Sequence, residues 1–281
     1  MLSYQHAYHA GNFADVHKHL TLYAVIDYLL RKKTAITYID THAGRGLYPL
    51  NAQETQRLQE YREGIGPLWQ ARNELNDPLL NAWQAAVATA QGSSATLTHY
   101  PGSPWWLSHS LREQDQLRLF ELHPGEHEQL STQGLPANAQ RVFGDGLAGL
   151  EAMLPAITPR LCVLIDPSYE RKVEYQEVAD TVAYTLEKAR HAVVLIWYPL
   201  LPAGHHHSLL DALKESGQRK IWRSELLLRE PDEQVHGMFG SGMLVINPPW
   251  GLDERLAAAM AEITPLLGSS SRYQADWWVG E

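Results

Sequence analysis

Cysteine is almost absent: Cys162 is the single one in 281 residues. This excludes a disulfide within the chain and any cysteine-cluster metal site. Long apolar runs are missing too. The longest, residues 192–203, is broken by Tyr198-Pro199 and Pro202 and is too short to span a bilayer. The first residues, Met1-Leu2-Ser3-Tyr4-Gln5-His6, lack the basic-then-apolar layout of a signal peptide. The expectation is a cytoplasmic protein without membrane contact. Positive charge is scarce, with 23 Lys and Arg against 32 Asp and Glu, a net charge of −9. The broad basic field of a general nucleic-acid binder is therefore excluded. Any such contact must be local. Arg57, Arg62 and Arg72, the Arg31-Lys32-Lys33 cluster and the segment from Tyr4 to His9 are the candidates.

Apolar residues make up 44% of the chain, which fits a globular protein. Apolar runs at 35–40, 117–121, 141–143, 161–165, 192–197, 221–229 and 243–247 read as strands, most of them separated by helical periodicity. Such alternation predicts an α/β fold with a mostly parallel seven-stranded sheet. The last two strands have no helix between them, which predicts an antiparallel C-terminal hairpin. Residues 51–100 interrupt the alternation with helical spacing, first through Leu58, Tyr61, Ile65 and Leu68, then through Leu79, Leu80, Trp83 and Val87. They read as a helical subdomain inserted in a single domain covering 1–281.

Four strand ends carry acids in order: Asp40 before the loop Thr41-His42-Ala43-Gly44-Arg45-Gly46, then Glu121, then Asp145 between two glycines, then Asp166. In open α/β sheets, ligands sit beyond the carboxyl ends of the strands. The glycines allow close backbone approach. Glu121 can accept from a ribose diol, and Asp145 can pair with an adenine amino group. The set fits S-adenosylmethionine. A nicotinamide dinucleotide would call for G-x-G-x-x-G, and the third glycine is missing here.

Asp166-Pro167-Ser168-Tyr169 follows the buried run Leu161 to Ile165. An adenine amino nitrogen is a poor nucleophile because its lone pair is shared with the ring. A carboxylate and a main-chain carbonyl can hold its two hydrogens, and an aromatic ring can stack on a base taken out of its helix. The plain alternative is a strand and a turn, since Asp, Pro and Ser all favour turns. Asn247-Pro248-Pro249-Trp250 matches an amino-methyltransferase tetrapeptide better in composition. An antiparallel strand would point it to the opposite sheet edge, so Asp166, Pro167 and Tyr169 are the expected catalytic residues. His205-His206-His207 reads as a solvated loop, because adjacent side chains cannot all face one ion. No metal is expected.

The block Tyr4-x-His6-x-x-His9-Ala10-Gly11-Asn12-x-Ala14-Asp15-x-x-Lys18-His19 resembles the RlmJ family of bacterial 23S ribosomal RNA adenine-N6 methyltransferases. So do Asp40-Thr41-His42-Ala43-Gly44, Tyr100-Pro101-Gly102-Ser103-Pro104, Glu121-Leu122-His123-Pro124 and Ile246-Asn247-Pro248-Pro249-Trp250, in order along nearly the whole chain. The resemblance implies a Rossmann-like class I methyltransferase with an inserted helical subdomain. It further implies S-adenosylmethionine as donor and a flipped adenine as acceptor. By position, His19, His42, Gly44, Ser103, Glu121, Asp145 and Gly146 would hold the cofactor, Asp166 the adenine amino group, and Tyr4, His6 and Lys18 the RNA. The family carries Asp-Pro-Pro-Tyr, whereas this chain has Ser168, which frees Pro167 from the restriction of a following proline. The expected partner is 23S RNA, free or in an early assembly intermediate, and the expected state is a monomer. A DNA adenine or glutamine side chain as acceptor, and a weakly active RNA-binding relative, are the alternatives.

Overall fold

The central strands are apolar at consecutive positions, which demands cover on both faces of the sheet. The computed structural model, which describes residues 4–232, 234 and 237–281, provides that cover. The strands are β1 (Ile36–Asp40), β2 (Leu47–Pro49), β3 (His99–Pro101), β4 (Gln116–Glu121), β5 (Ala139–Phe143), β6 (Arg160–Ile165), β7 (Val193–Leu200), β8 (Ile221–Leu227), β9 (Gly240–Ile246) and β10 (Arg272–Val279). The α-helices are α1 (Phe13–Leu30), α2 (Gln53–Leu58), α3 (Ile65–Gln70), α4 (Pro78–Thr89), α5 (Ser103–His109), α6 (Pro124–Ser131), α7 (Gly146–Ala152), α8 (Glu174–Lys188), α9 (His206–Glu215) and α10 (Leu252–Ile263).

Eight strands form one sheet in the order β10-β8-β9-β7-β6-β1-β4-β5, and β2 pairs with β3 apart from it. The sheet thus has one strand more than the seven expected. The additional strand is β10, whose mostly exposed residues give no apolar run to read. Neighbouring strands from β7 through β6, β1 and β4 to β5 are parallel. β9 runs antiparallel to both β7 and β8, as the expected hairpin requires.

The two-residue period of a strand sorts its side chains between the faces. Tyr38, Cys162, Leu164 and Leu195 join one core with residues of α1, α5 and α10. Ile39, Val163, Ile165 and Val194 join the other with α8 and α9. Truncating a fully buried residue such as Leu164 to Ala would cost about 2–5 kcal/mol. Residues of α3 and α4 belong to the first core, and Trp83 of α4 stacks on Trp106 at 5.9 Å between ring centroids.

α1 opens with reciprocal capping: Asn12 accepts from the Asp15 N–H, and Asp15 Oδ2 accepts from the Gly11 N–H. This end reaches the C-terminal edge of the sheet. The other end leads into the start of β1, about 27 Å away for an 18-residue helix. Arg31-Lys32-Lys33 therefore lies away from the site, contrary to its expected place on an RNA-facing side. Carbonyls of Leu29, Lys32 and Thr34 there accept from Arg112 and Arg160. The histidine run is also not a solvated loop. α9 begins within it, and His206 is buried against the Tyr198 ring.

Candidate active site

A cavity of about 760 Å³ opens along the C-terminal ends of the parallel strands. Its size suits one cofactor together with a second small moiety. Asp166 divides it. On one side lie the loop after β1, Ser103, the end of β4 and the start of α7; on the other lie Trp197, Pro199, Leu201 and Met238.

Close backbone approach shapes the first half. Gly44 has φ +64°, and a Cβ there would stand 2.2 Å from the Tyr48 hydroxyl. A Cβ on Gly146 would stand 1.9 Å from the Thr41 carbonyl oxygen. Glu121 is fixed by the Gly44 N–H at 2.7 Å and the His123 N–H at 2.6 Å, one to each oxygen. Each oxygen keeps a further lone pair for a ribose hydroxyl. Asp145 caps α7 through Oδ1, accepting from Leu147 and Ala148. Its Oδ2 takes no part in those two bonds. Burial holds His42 in its neutral form, down to about 4, and His19, bonded to the Tyr100 hydroxyl at 2.8 Å, is also lowered. These acceptors and neutral rings around a glycine cradle fit S-adenosylmethionine.

Asp40, expected beside Glu121 and Asp145, stands behind the wall. It is fully buried, its Oδ1 accepts from the His42 N–H at 3.2 Å, and burial pushes it up to about 7.

Asp166 and Pro167 follow β6 onto the cavity wall, with Ser168 beside them. Lys18, expected to meet RNA, is instead buried between carboxylates: its Nζ lies 2.6 Å from Asp166 Oδ2 and 3.0 Å from Asp15 Oδ1. Burial works against the ammonium, yet the two carboxylates outweigh it and keep Lys18 charged. Asp15 continues the chain to His6 at 2.9 Å, and His6 meets the Tyr4 hydroxyl at 2.9 Å. Tyr4 and His6 both line the cavity.

Tyr169 does not reach the wall. Its backbone sits at φ +53°, which turns the ring inward onto Tyr175 at 4.2 Å, and its hydroxyl donates to the Trp197 carbonyl at 2.9 Å. The aromatic wall beside Asp166 is Trp197, which sequence reasoning left as a strand residue. Its indole N–H donates to Ser241 at 3.0 Å, and Lys18 Nζ stands 5.6 Å from its ring centroid. Asp15 was missed as well. The spacing of Asp15 and Lys18, one turn apart on α1, was the available signal.

The rival tetrapeptide lies elsewhere. β9 pairs Ile246 with Val194 at the start of β7, so Asn247 emerges at the opposite edge. Its amide donates to the carbonyls of Arg190 and Ala192, both at 2.9 Å, and Trp250 is 85% exposed.

Residues 33–279 match the family described as "Ribosomal RNA large subunit methyltransferase D, RlmJ". A protein of Escherichia coli named ribosomal RNA large subunit methyltransferase J is 39% identical over 259 residues, covering 91% of this chain and 90% of its own. The Haemophilus influenzae protein of the same name is 36% identical, covering 95% and 93%. A crystal structure of a Legionella pneumophila protein superposes with a TM-score of 0.86 at 35% identity, covering 96% of this chain and 98% of its own. With a cavity at the strand ends, acids in order along it and relatives of this similarity over nearly all their length, the chain belongs to the RlmJ family of ribosomal RNA large subunit methyltransferases.

Proposed function

We propose that the protein transfers the methyl group of S-adenosylmethionine to N6 of an adenine in 23S ribosomal RNA. The observation that carries this is the placement of Asp166 and Pro167 on the same cavity wall system as Gly44, Glu121 and Asp145. S-adenosylmethionine supplies an activated methyl group on a sulfonium. Glu121 holds its ribose, Asp145 its adenine, and His19, His42, Ser103 and Gly146 complete the enclosure. Asp166 accepts one hydrogen of the target amino group and the Pro167 carbonyl accepts the other. Held this way, the nitrogen lone pair leaves conjugation and can take the methyl group: the N–C bond would form as the S–C bond breaks, S-adenosylhomocysteine would leave as a neutral thioether, and the surplus amino proton would pass by way of the Asp166 carboxylate to solvent. Lys18 opposes the rise that burial imposes on the Asp166 carboxyl and so favours its carboxylate form. Cys162 is buried within β6 with its thiol pushed up to about 12, so a covalent thiolate intermediate has no support.

Trp197 offers its face to the flipped base, and Tyr169 supports it from beneath by holding its carbonyl. The inserted segment 51–100 brings Arg57, which stands 5.8 Å from the Tyr8 ring centroid, beside the N-terminal segment. Tyr4 and His6 lie at the RNA entrance. The chain acts as a monomer in the cytoplasm, on free 23S RNA or an early assembly intermediate, because a flipped base must be uncovered to enter. No helix among the described residues is long and apolar enough to cross a membrane.

The test is tritiated-methyl transfer to a 23S transcript. Asp166→Ala should lower turnover roughly 10²-fold or more, as loss of a preorganised hydrogen-bonding group does, and leave S-adenosylhomocysteine binding intact. Retained turnover would refute the assignment.

A further inference from the structure

The acceptor half of the cavity poses an electrostatic problem. RNA is a polyanion, and carboxylates line the cavity on both sides of Asp166. Among the described residues, only two Lys or Arg side chains line it, Lys18 and Arg171. Lys18 is buried, its side chain 5% exposed, and bound to Asp15 and Asp166. Arg171 differs in exposure. It lies five residues beyond Asp166, in the loop between β6 and α8, and its side chain is 60% exposed. Its Nε meets Glu174 Oε1 at 3.3 Å and its Nη2 meets Glu177 Oε2 at 2.9 Å. Both glutamates also line the cavity.

We propose that Arg171 is a phosphate clamp for the acceptor nucleotide, parked on Glu174 and Glu177 until RNA arrives. This inference rests on the reading of the site as an RNA methyltransferase and adds the residue that holds the RNA backbone there. A guanidinium takes a phosphate through two parallel N–H donors, a geometry it shares with carboxylate. The Arg171–Glu177 pair is open to solvent on both sides and contributes little, so exchanging that carboxylate for a phosphate meets little resistance, while the buried Glu174 keeps its bond from the Arg171 backbone N–H. The glutamates keep the fork extended at the entrance and stop it from folding down onto Asp166. Arg171 is a positioning residue: it orders the backbone beside the base and leaves the methyl-transfer chemistry to Asp166 and Pro167.

The experiment uses full-length protein and a stem-loop transcript of 23S RNA. RNA affinity by fluorescence anisotropy across a salt series is measured alongside KM, kcat and S-adenosylhomocysteine affinity. Arg171→Gln should raise KM for RNA about tenfold and lower the slope of log affinity against log salt by about 0.7 to 1, the loss of one phosphate contact. kcat and S-adenosylhomocysteine affinity should stay near wild type, which also shows that the variant is folded. Arg171→Lys should restore the slope but only part of the affinity, since an ammonium is a point charge. Glu177→Gln should tighten RNA binding by freeing the fork. An unchanged slope and KM in Arg171→Gln, with the wild type methylating the transcript, overturns the clamp and leaves the functional reading standing. An Arg171-dependent slope without any methyl transfer by the wild type overturns the functional reading and leaves the clamp. A wild type that does not bind the RNA overturns both.

Discussion

Lys18 Nζ lies 2.6 Å from Asp166 Oδ2, at the meeting point of α1 and the end of β6. Burial alone pushes the Asp166 carboxyl upward, and Lys18 is the main opposing influence. Lys18→Met removes that influence and leaves Asp15 and Asp166 without their shared cation. Breaking a buried pair in this way should cost about 3–5 kcal/mol of stability. Without that cation the Asp166 pKa should rise further, so the increase of kcat with pH should move to higher pH than in the wild type. Thermal unfolding and a pH–rate profile check both. A variant whose profile coincides with that of the wild type would show that Lys18 does not set the charge of Asp166.

Two tetrapeptides compete for the catalytic role, and strand direction separates them. Asn247→Ala should leave turnover within about twofold of wild type, because its amide only bonds the Arg190 and Ala192 carbonyls at the far edge. Its cost should be about 1–3 kcal/mol of stability, from the two carbonyls left short of a donor. Loss of turnover with unchanged melting temperature would mean that the catalytic copy had been misassigned.

Trp197 and Tyr169 should behave oppositely. Trp197→Ala removes a stacking face worth about 1–3 kcal/mol per base, so KM for RNA should rise about tenfold. Tyr169→Phe removes one hydroxyl bond and should cost about 1 kcal/mol of stability with KM little changed. Steady-state kinetics on a 23S stem-loop separates them. A large KM effect in Tyr169→Phe, with none in Trp197→Ala, would reverse the assignment.

His17 is buried between Ser224 and Ser241 at 3.0 and 3.1 Å, and burial lowers its pKa to about 3. The unfolded chain takes up this proton near pH 6.5, and the folded one only near 3. The unfolded state therefore binds more protons in between, and stability falls as pH drops from about 6.5 towards 3. One such group contributes about 1.4 kcal/mol per pH unit at most. His42, lowered to about 4, adds to the slope over its own window. His17→Gln should be less stable at pH 7 but lose less on going to pH 5. Urea unfolding at the two pH values measures this. An equal loss in both proteins would rule out His17 as a contributor.

Much of this was legible in the sequence because strand ends are punctuated. Apolar runs closing on Asp40, Glu121 and Asp166 mark both the strand and its direction, and direction alone separated Asp166 from Asn247. β10 escaped because an edge strand needs no apolar run, and Arg272 to Trp277 are mostly exposed. Tyr169 was misplaced because the face a side chain presents after a turn depends on φ, and +53° at a tyrosine leaves no trace in composition. Trp197 was hidden inside the run that identified its strand. The ends of α1 illustrate a further limit. Arg31-Lys32-Lys33 looked suited to RNA by charge, yet three-dimensional placement put it at the wrong edge.

The atom that receives the methyl group defines the activity. Nucleoside mass spectrometry on 23S and 16S RNA from a strain lacking this protein, before and after treatment with the purified enzyme and S-adenosylmethionine, tests it directly. N6-methyladenosine in 23S RNA should increase on treatment by the wild type and should not increase with Asp166→Ala. Methyl groups appearing on another atom, or in 16S RNA instead, would contradict the assignment.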